Sequence, residues 1–591
     1  MSFYLSGTIS GLLQIQVSAG VNTALIETNS IEQIIGGSAN DIFTFGDFGD
    51  DTTPFSGVDD LIRIDGGSGS DAILVAGDVQ LGDAALFLES ENIAVASSAS
   101  INTTDDDVLN AIATSVFSGS TAPLNSLNLI AGMSVDGAIT GDDVKLKSTV
   151  QNTLALSGSA ISFAIDSTSS ATTTVGTTAF ITANTLEVTA NTDTNLSLEV
   201  TGATVESIQL GSEATPIAQT THAAIAGGAQ LSVGTAALSV DESASILVQA
   251  TDTTDIQTSI STDTSVITQF TVFDAVFSET HLSRDTKATV GDENNQVTIN
   301  GGDTDTAAGA LKVSAENRDG ANGGVVSNIS SDFLGVHTTE VSKDDAIAYI
   351  KNTDLKTEQL AVTATNSSTY SSTAKAASNN VSGKTQAYIT GSNLSTQPTT
   401  GTPNITQSVI LTAVDQSTFI AHSDDSSASN TDYDALDVLD INQVFALNEI
   451  TKSTQAYISS SNVASANGQI SIEAKSELTV SDTGDTLAIT NGGFFNLNNL
   501  GFSGTIVANE VVGDVSAYIE DSTVTANGSD ADVFVDAQNT SNIDAIAKAG
   551  AVASGGSSAA VGANIAFNVI GANIDNILGS TVDTLLGTPL D

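Results

Sequence analysis

Apolar and polar residues alternate in short runs along most of this chain, and one run keeps returning with the same flanks. Its fullest form is Gln386-Ala387-Tyr388-Ile389-Thr390-Gly391-Ser392-Asn393-Leu394. Ala348-Tyr349-Ile350, Ala456-Tyr457-Ile458 and Ala517-Tyr518-Ile519 repeat it, with Leu355, Val463 and Val524 each five residues beyond the Ile. Ala138-Ile139, Ala179-Phe180-Ile181, Ala224-Ile225, Thr289-Val290 and Asn576-Ile577 are looser copies. Strict alternation puts Ala387 and Ile389 on one face of a strand and Tyr388 on the other. A second alternating run follows in most units, as in Leu311-Lys312-Val313-Ser314-Ala315, Leu360-Ala361-Val362-Thr363-Ala364 and Ile470-Ser471-Ile472-Glu473-Ala474. Its β-branched and Leu positions face inward.

The residues before each Ile or Val fall at 138, 180, 224, 289, 349, 388, 457, 518 and 576, with successive gaps of 42, 44, 65, 60, 39, 69, 61 and 58. These gaps group near two and three multiples of a unit of about 21 residues, within the solenoid range. Two or three short strands in so compact a unit predict an all-β parallel β-helix, one unit per coil. The whole chain then winds about 28 coils, on the order of 130 Å at the spacing of stacked strands. Most of the tyrosines are then three coils, about 14 Å, apart and out of contact. Asn379, Asn448 and Asn509 each lie nine residues before a tyrosine, which predicts a stacked ladder of inward amides.

Three regions differ in pattern. Residues 1–95 are Gly/Asp-rich, 96–137 are irregular, and 138–591 carry the repeats. In 96–137, Asp105-Asp106-Asp107 ahead of Leu109, Ile112 and Val116 predicts a short N-capped helix against the first coils. The segment 422–440 carries Asp424, Asp425, Asp432, Asp434, Asp437 and Asp440 and predicts an acidic excursion from the solenoid. After Ile577 fewer residues remain than one coil needs, which suggests a segment of a longer protein or a subunit stacking end to end.

Composition narrows the classes. Of 591 residues, 69 are Asp or Glu and 15 Lys or Arg, a net charge of −54. Such a surface repels nucleic acid and anionic lipid and favours cations, basic partners or a salty medium. With 40% apolar residues in regular alternation, the chain is expected to fold rather than stay disordered. It has no Cys, which excludes disulfides, thiolate metal sites and Cys nucleophiles. Met1-Ser2-Phe3-Tyr4-Leu5 lacks the features of a signal peptide, and no run of about 18 apolar residues exists to insert into a membrane. The three arginines (Arg63, Arg284, Arg318) stand isolated in the repeat frame, and the four histidines (His222, His281, His337, His422) form no metal-spaced pair. No phosphate-loop, nucleophile-elbow or zinc-protease motif is present.

Two segments resemble a known motif. Asp65-Gly66-Gly67-Ser68-Gly69-Ser70-Asp71-Ala72-Ile73-Leu74 is similar to the nonapeptide G-G-x-G-x-D-x-U-x of RTX calcium-binding β-rolls, and Ile35-Gly36-Gly37-Ser38-Ala39-Asn40-Asp41 echoes it with Ala39 in place of Gly. The resemblance implies Ca²⁺ held by Asp41 and Asp71, with Asp65 and the turns at Gly36 and Gly66. Asp47, Asp50, Asp51, Asp59 and Asp60 crowd the intervening loop. The copies begin at Gly36 and at Gly66 rather than in direct tandem, and the alternative is a Gly-Asp turn that ends a coil without metal. Together with the Ala-Tyr-Ile units and Asn568-Val569-Ile570, these segments resemble giant bacterial β-strand-repeat exoproteins, related to filamentous-haemagglutinin-type and RTX adhesins. That family implies export to the bacterial cell surface or beyond and a right-handed parallel β-helix. It further implies non-catalytic service as an adhesin, stalk or surface layer, with cell-surface or matrix glycans and proteins, or further copies end to end, as partners. The alternatives are a β-helix carbohydrate-active enzyme of lyase or epimerase type and a self-assembling filament or surface-layer subunit.

Overall fold

The computed structural model describes residues 2–570 except 8–12, 20–21, 29–32, 47–60, 83–84, 104–107, 120–125, 159–161, 202–206, 237, 239–243, 262–274, 302–306, 331–333, 398–406, 426–438, 467, 492–498, 529–530 and 555–557. The chain is all-β and winds as a parallel β-helix with three faces, here sheets A, B and C. One turn of the path shows the plan. Ala376–Thr390 lies in sheet A, Asn393–Thr396 in sheet C, and Gln407–Asp415 and Thr418–Asp425 in sheet B, after which Leu439–Ser459 begins the next coil in sheet A. Successive coils pair in parallel and in register. The strand Ser2–Gly7 joins the edge of sheet A beside Ile42–Phe45, and Leu13–Ala19 and Asn22–Thr28 continue it as an antiparallel meander.

The corner from sheet A to sheet C explains why the tyrosine unit recurs. Three residues after each tyrosine the backbone turns left-handed, at Asn352, Gly391, Ser460 and Asp521 (φ 45°, 60°, 48° and 47°). Gly and short polar residues tolerate that conformation best. The next residue fastens the corner: Ser461 Oγ donates to Ser459 O (2.7 Å) and accepts the Ser392 amide of the preceding coil (3.1 Å).

The period differs from the expectation. Asp71 and Glu91 are one coil and 20 residues apart, close to the expected unit. In the later coils, however, laterally adjacent residues are 39, 69, 61 and 59 residues apart. From Ala224 to Tyr518 each marker gap is therefore one wide coil and not two or three narrow ones, while Phe180 pairs with Gln230 and not with Ala224, and Asn576 lies outside the described residues. Sheet A stacks twelve coils from Ile42–Phe45 to Ser558–Ile570, so the described helix is roughly 53 Å long at 4.8 Å per strand, against the 130 Å expected.

The expected helix after Asp107 is replaced by the strand Val108–Gly119. Leu109, Ala111 and Ala113 point inward while Val116 is 59% exposed, so period two governs and the i, i+3, i+7 spacing was coincidental. Asp105, Asp106 and Asp107 lie outside the described residues, as do Asp47, Asp50, Asp51, Asp59, Asp60 and 571–591. Of the acidic excursion, His422–Asp425 ends a sheet B strand and Leu439 and Asp440 open a sheet A strand; 426–438 lies outside the described residues. The strands Gln33–Ile35 through Asn92–Val95 extend the same sheets A and B as the later coils.

Wide coils hold two apolar cores. The first lies where the tyrosine end of sheet A meets sheet C and the start of sheet B, around Ala387, Ile389, Leu394, Val409 and Leu411. The second lies between the start of sheet A and the end of sheet B, around Phe419, Ala421, Ala446, Ile450 and Val480. The strand Leu439–Ser459 reads across both, its inward positions being Val444, Ala446, Asn448, Ile450, Lys452, Thr454, Ala456 and Ile458. Asn448, Lys452 and Thr454 are the polar positions on that inner face, and the first two mark the features described next.

Candidate functional site

The two Gly-Asp turns lie at the narrow end of the helix, in its first stacked coils. Although not in tandem along the chain, the two copies stack directly, Ile42 beside Ala72. A Cβ on Gly36 would lie 2.0 Å from Gly66 O, so the stacking itself requires glycine there. The carboxylates form a relay along the axis: Gly37 N–H donates to Asp41 Oδ2 (2.7 Å), Asp41 N–H to Asp71 Oδ1 (2.7 Å) and Asp71 N–H to Glu91 Oε2 (2.8 Å). Asp65 Oδ1 accepts the Gly67 amide (2.9 Å) and Asp65 O the Gly36 amide (2.7 Å), while Gly66 N–H donates to Glu89 O (2.8 Å). Burial pushes the carboxyls of Asp71 and Glu91 upward. Among the described residues no three His, Cys, Asp or Glu side chains converge as a metal-ligand set. As placed, the turn offers a cation one buried oxygen without a hydrogen-bond partner, Asp71 Oδ2. Glu91, the third carboxylate of the relay, carries no motif and was missed by sequence reasoning.

A second cluster lies between the two cores of the wide coils. Arg284 is buried, with Nε on Asp252 Oδ1 (2.9 Å), Nη1 on Ser368 Oγ (2.6 Å) and, at 3.5 Å, on Asp344 Oδ1. Asp344 also accepts Asn317 Nδ2 on Oδ1 (3.0 Å), and Asn366 Nδ2 (2.8 Å) and Lys452 Nζ (2.5 Å) on Oδ2. Asp415 stands 3.7 Å from the same ammonium and is held by the Ser417 amide (3.1 Å) and hydroxyl (2.6 Å) and by Thr385 Oγ1 (3.3 Å). Burial alone would raise the Asp344 carboxyl, but Lys452 and Arg284 overcome it and hold the group at about 2. Burial likewise opposes charge on Lys452, and Asp344 and Asp415 outweigh it and raise its pKa.

Arg284 thus stands in a cluster and not isolated, as the sequence frame had it. The signal was a shared phase. Arg284, Asp344, Gly383, Lys452 and Gly513 each precede Thr289 or a tyrosine by five residues, and register places them side by side in successive coils. The other two arginines are also engaged: Arg63 Nη2 donates to Glu89 Oε2 (2.7 Å), and Arg318 Nε to Thr253 Oγ1 (3.1 Å). His337 is buried between Ser327 and Thr339 hydroxyls, and burial pulls it down to about 3, so it stays neutral.

Two ladders run along the wide coils. On the outer face, Tyr349, Tyr388, Tyr457 and Tyr518 stack with ring centroids 5.0, 4.8 and 4.9 Å apart, which overturns the expectation that they stand out of contact. Their faces cover one another, so what the row presents outward is mainly ring edge. Inside the second core, Asn379 Nδ2 donates to Asn448 Oδ1 (2.8 Å), Asn448 Nδ2 to Asn509 Oδ1 (3.0 Å) and Asn509 Nδ2 to Asn568 Oδ1 (2.8 Å). The expected amide ladder is present, mid-strand in sheet A. It reaches across to sheet B through Asn379 Nδ2 on Ile420 O (2.7 Å) and Asn509 Nδ2 on Asp544 O (2.7 Å). Beside it, Asp482 accepts from Asn448, and burial pushes its carboxyl up to about 8. A cavity of about 230 Å³ opens beside Lys452, with Thr454, Ser476, Asp514 and Ser541 in its wall. Among the described residues no helix is long and apolar enough to cross a membrane. No protein family, curated protein or solved structure matches the chain.

Proposed function

We propose that the chain is a non-catalytic structural segment of a secreted or bacterial cell-surface protein, a stiff acidic spacer that projects, coats or joins cells. The observation that carries this reading is the in-register repetition of Tyr, Asn and corner Ser from coil to coil. Such ladders tie each coil to the next and give the molecule axial stiffness, whereas a reaction centre calls for a few groups converging on an open cleft. The cavity beside Lys452 has one acid in its wall, Asp514, and the Lys452 ammonium is already engaged by Asp344. Partners of this spacer are cell-surface or matrix glycans and proteins, or further copies end to end. Calcium belongs to this reading as the counter-ion of the acidic turns around Asp71.

Incubation with a panel of acidic and neutral polysaccharides is expected to release neither reducing ends nor unsaturated sugars. Release of either would overturn the reading in favour of a β-helix lyase or hydrolase. Melting with and without EDTA tests the counter-ion, and an unchanged melting point removes calcium from the account.

A further inference from the structure

Lys452, Asp344 and Asp415 meet in an unusual setting. The three side chains are at most 2% exposed, and the ammonium touches one carboxylate at 2.5 Å with a second at 3.7 Å. The strands that carry Lys452 and Asp344 are not neighbours: Ala376–Thr390 runs between them. Gly383 holds the intervening place in the row, where a Cβ would lie 2.3 Å from Asp344 O and 3.0 Å from Asp344 Cβ. The missing side chain at 383 lets a lysine from one coil reach an aspartate two coils away. Donors lie on both Asp344 oxygens, Asn317 Nδ2 and Arg284 Nη1 on Oδ1 and Asn366 Nδ2 on Oδ2.

We propose that Lys452 and Asp344 condense into an intramolecular amide that staples the two coils, with Asp415 relaying a proton. The ion pair is the reactant. One ammonium proton passes to Asp344 Oδ2 along the 2.5 Å hydrogen bond, leaving a neutral amine against a neutral carboxyl, a minor state beside the ion pair but one whose cost burial reduces. The Nζ lone pair attacks Cγ, the new C–N bond forms, and negative charge builds on Oδ1, where Asn317 and Arg284 donate. Asp415 takes the second proton from nitrogen and returns it to Oδ2, the C–Oδ2 bond breaks, and Oδ2 leaves as water. Ammonium plus carboxylate thus become amide plus water, with no oxidant, metal or external donor. The cavity beside Lys452 receives the water. Asp415 keeps its Ser417 and Thr385 hydrogen bonds throughout.

The intact mass of the purified full chain tests this without any variant. The expected mass is the sequence mass less one water, and digestion should yield a branched peptide joining the segments that contain Asp344 and Lys452. A chain at full sequence mass, with both residues recovered in linear peptides, would overturn the proposal. Lys452→Arg keeps the cation but has no amine of comparable nucleophilicity, and Asp415→Asn removes the relay. Each is expected to be recovered at its full sequence mass, and a water loss retained in Asp415→Asn would refute the role given to that residue.

Discussion

The narrow coil between Asp71 and Glu91 and the wide coil between Tyr388 and Tyr457 solve the same problem differently. The narrow one uses 20 residues on three strands of four to six, Ala72–Val75, Asp78–Gly82 and Ala85–Ser90, and fills its interior with Ile73, Val75, Val79, Leu81, Leu86 and Leu88. The wide one uses 69 residues, and its sheet A strand crosses two cores. Apolar side chains on facing sheets fill a small section on their own. A larger section leaves a seam between cores, and here the seam holds Arg284, Asp344, Lys452 and Asp415 while an amide ladder threads the second core. Parallel, in-register stacking makes this possible, because an Asn above an Asn pairs donor with acceptor along the row and leaves the second amide hydrogen free to reach a sheet B carbonyl, as Asn379 and Asn509 do. Width is held by polar rows; narrowness is held by oil.

The largest way to break this contrast is pH. The folded Asp482 carboxyl titrates at about 8 against an ordinary 3.8, so its contribution to stability is fully present below pH 4 and is lost as pH rises through 8. Asp482→Asn removes that loss and should flatten the decline between pH 4 and 8 by on the order of 6 kcal/mol relative to the parent chain. Parallel stability curves for the two chains would contradict the assignment.

Next comes removal of one charge from the seam. Lys452→Met leaves Asp415 buried without a cation and Asp344 with Arg284 alone, and is expected to cost about 3–5 kcal/mol in denaturant unfolding. Amide exchange should rise in the wide coils and stay unchanged over residues 72–95. Equal loss of protection in both regions would show that the seam does not act locally.

Truncating Asn448 to Ala breaks the ladder in the middle and takes one partner each from Asn379, Asn509 and Asp482, an expected cost of about 1–3 kcal/mol. Tyr388→Ala removes two stacking contacts on the outer face, where solvent compensates part of the loss, and should cost about 1–2 kcal/mol. Urea midpoints give both values, and a Tyr388 effect larger than that of Asn448 would reverse the order of inner and outer ladders.

These ladders also show what was readable beforehand. Strand faces were legible at Ala387, Tyr388 and Ile389 because alternation has only one interpretation, and the amide row was legible because Asn379, Asn448 and Asn509 share one phase. Coil length was not. The gaps between tyrosine units divide as well into two or three short units as into one long one, and no local residue says how far a strand will run. Around Leu109, small inward residues (Ala111 and Ala113) gave alternation little contrast, so Ile112 and Val116 drew the reading toward a helix. The charged seam stayed hidden because its row mixes Arg, Asp, Gly and Lys, and a ladder of unlike residues has no repeat to notice. Gly383 in particular reads as a break, although it is the space through which Lys452 reaches Asp344.

The central claim is that Tyr388 and Tyr457 sit on adjacent coils, so that 69 residues make one turn of the helix. Thr390 Oγ1 and Ser459 Oγ are 3.0 Å apart on those coils, and the chain has no cysteine of its own. In the double variant Thr390→Cys, Ser459→Cys, mild oxidation is expected to close a disulfide rapidly and almost completely under native conditions, and only after denaturation should closure become slow. A pair that stays reduced in the folded chain would contradict the wide-coil register and, with it, the ladders that hold the rod together.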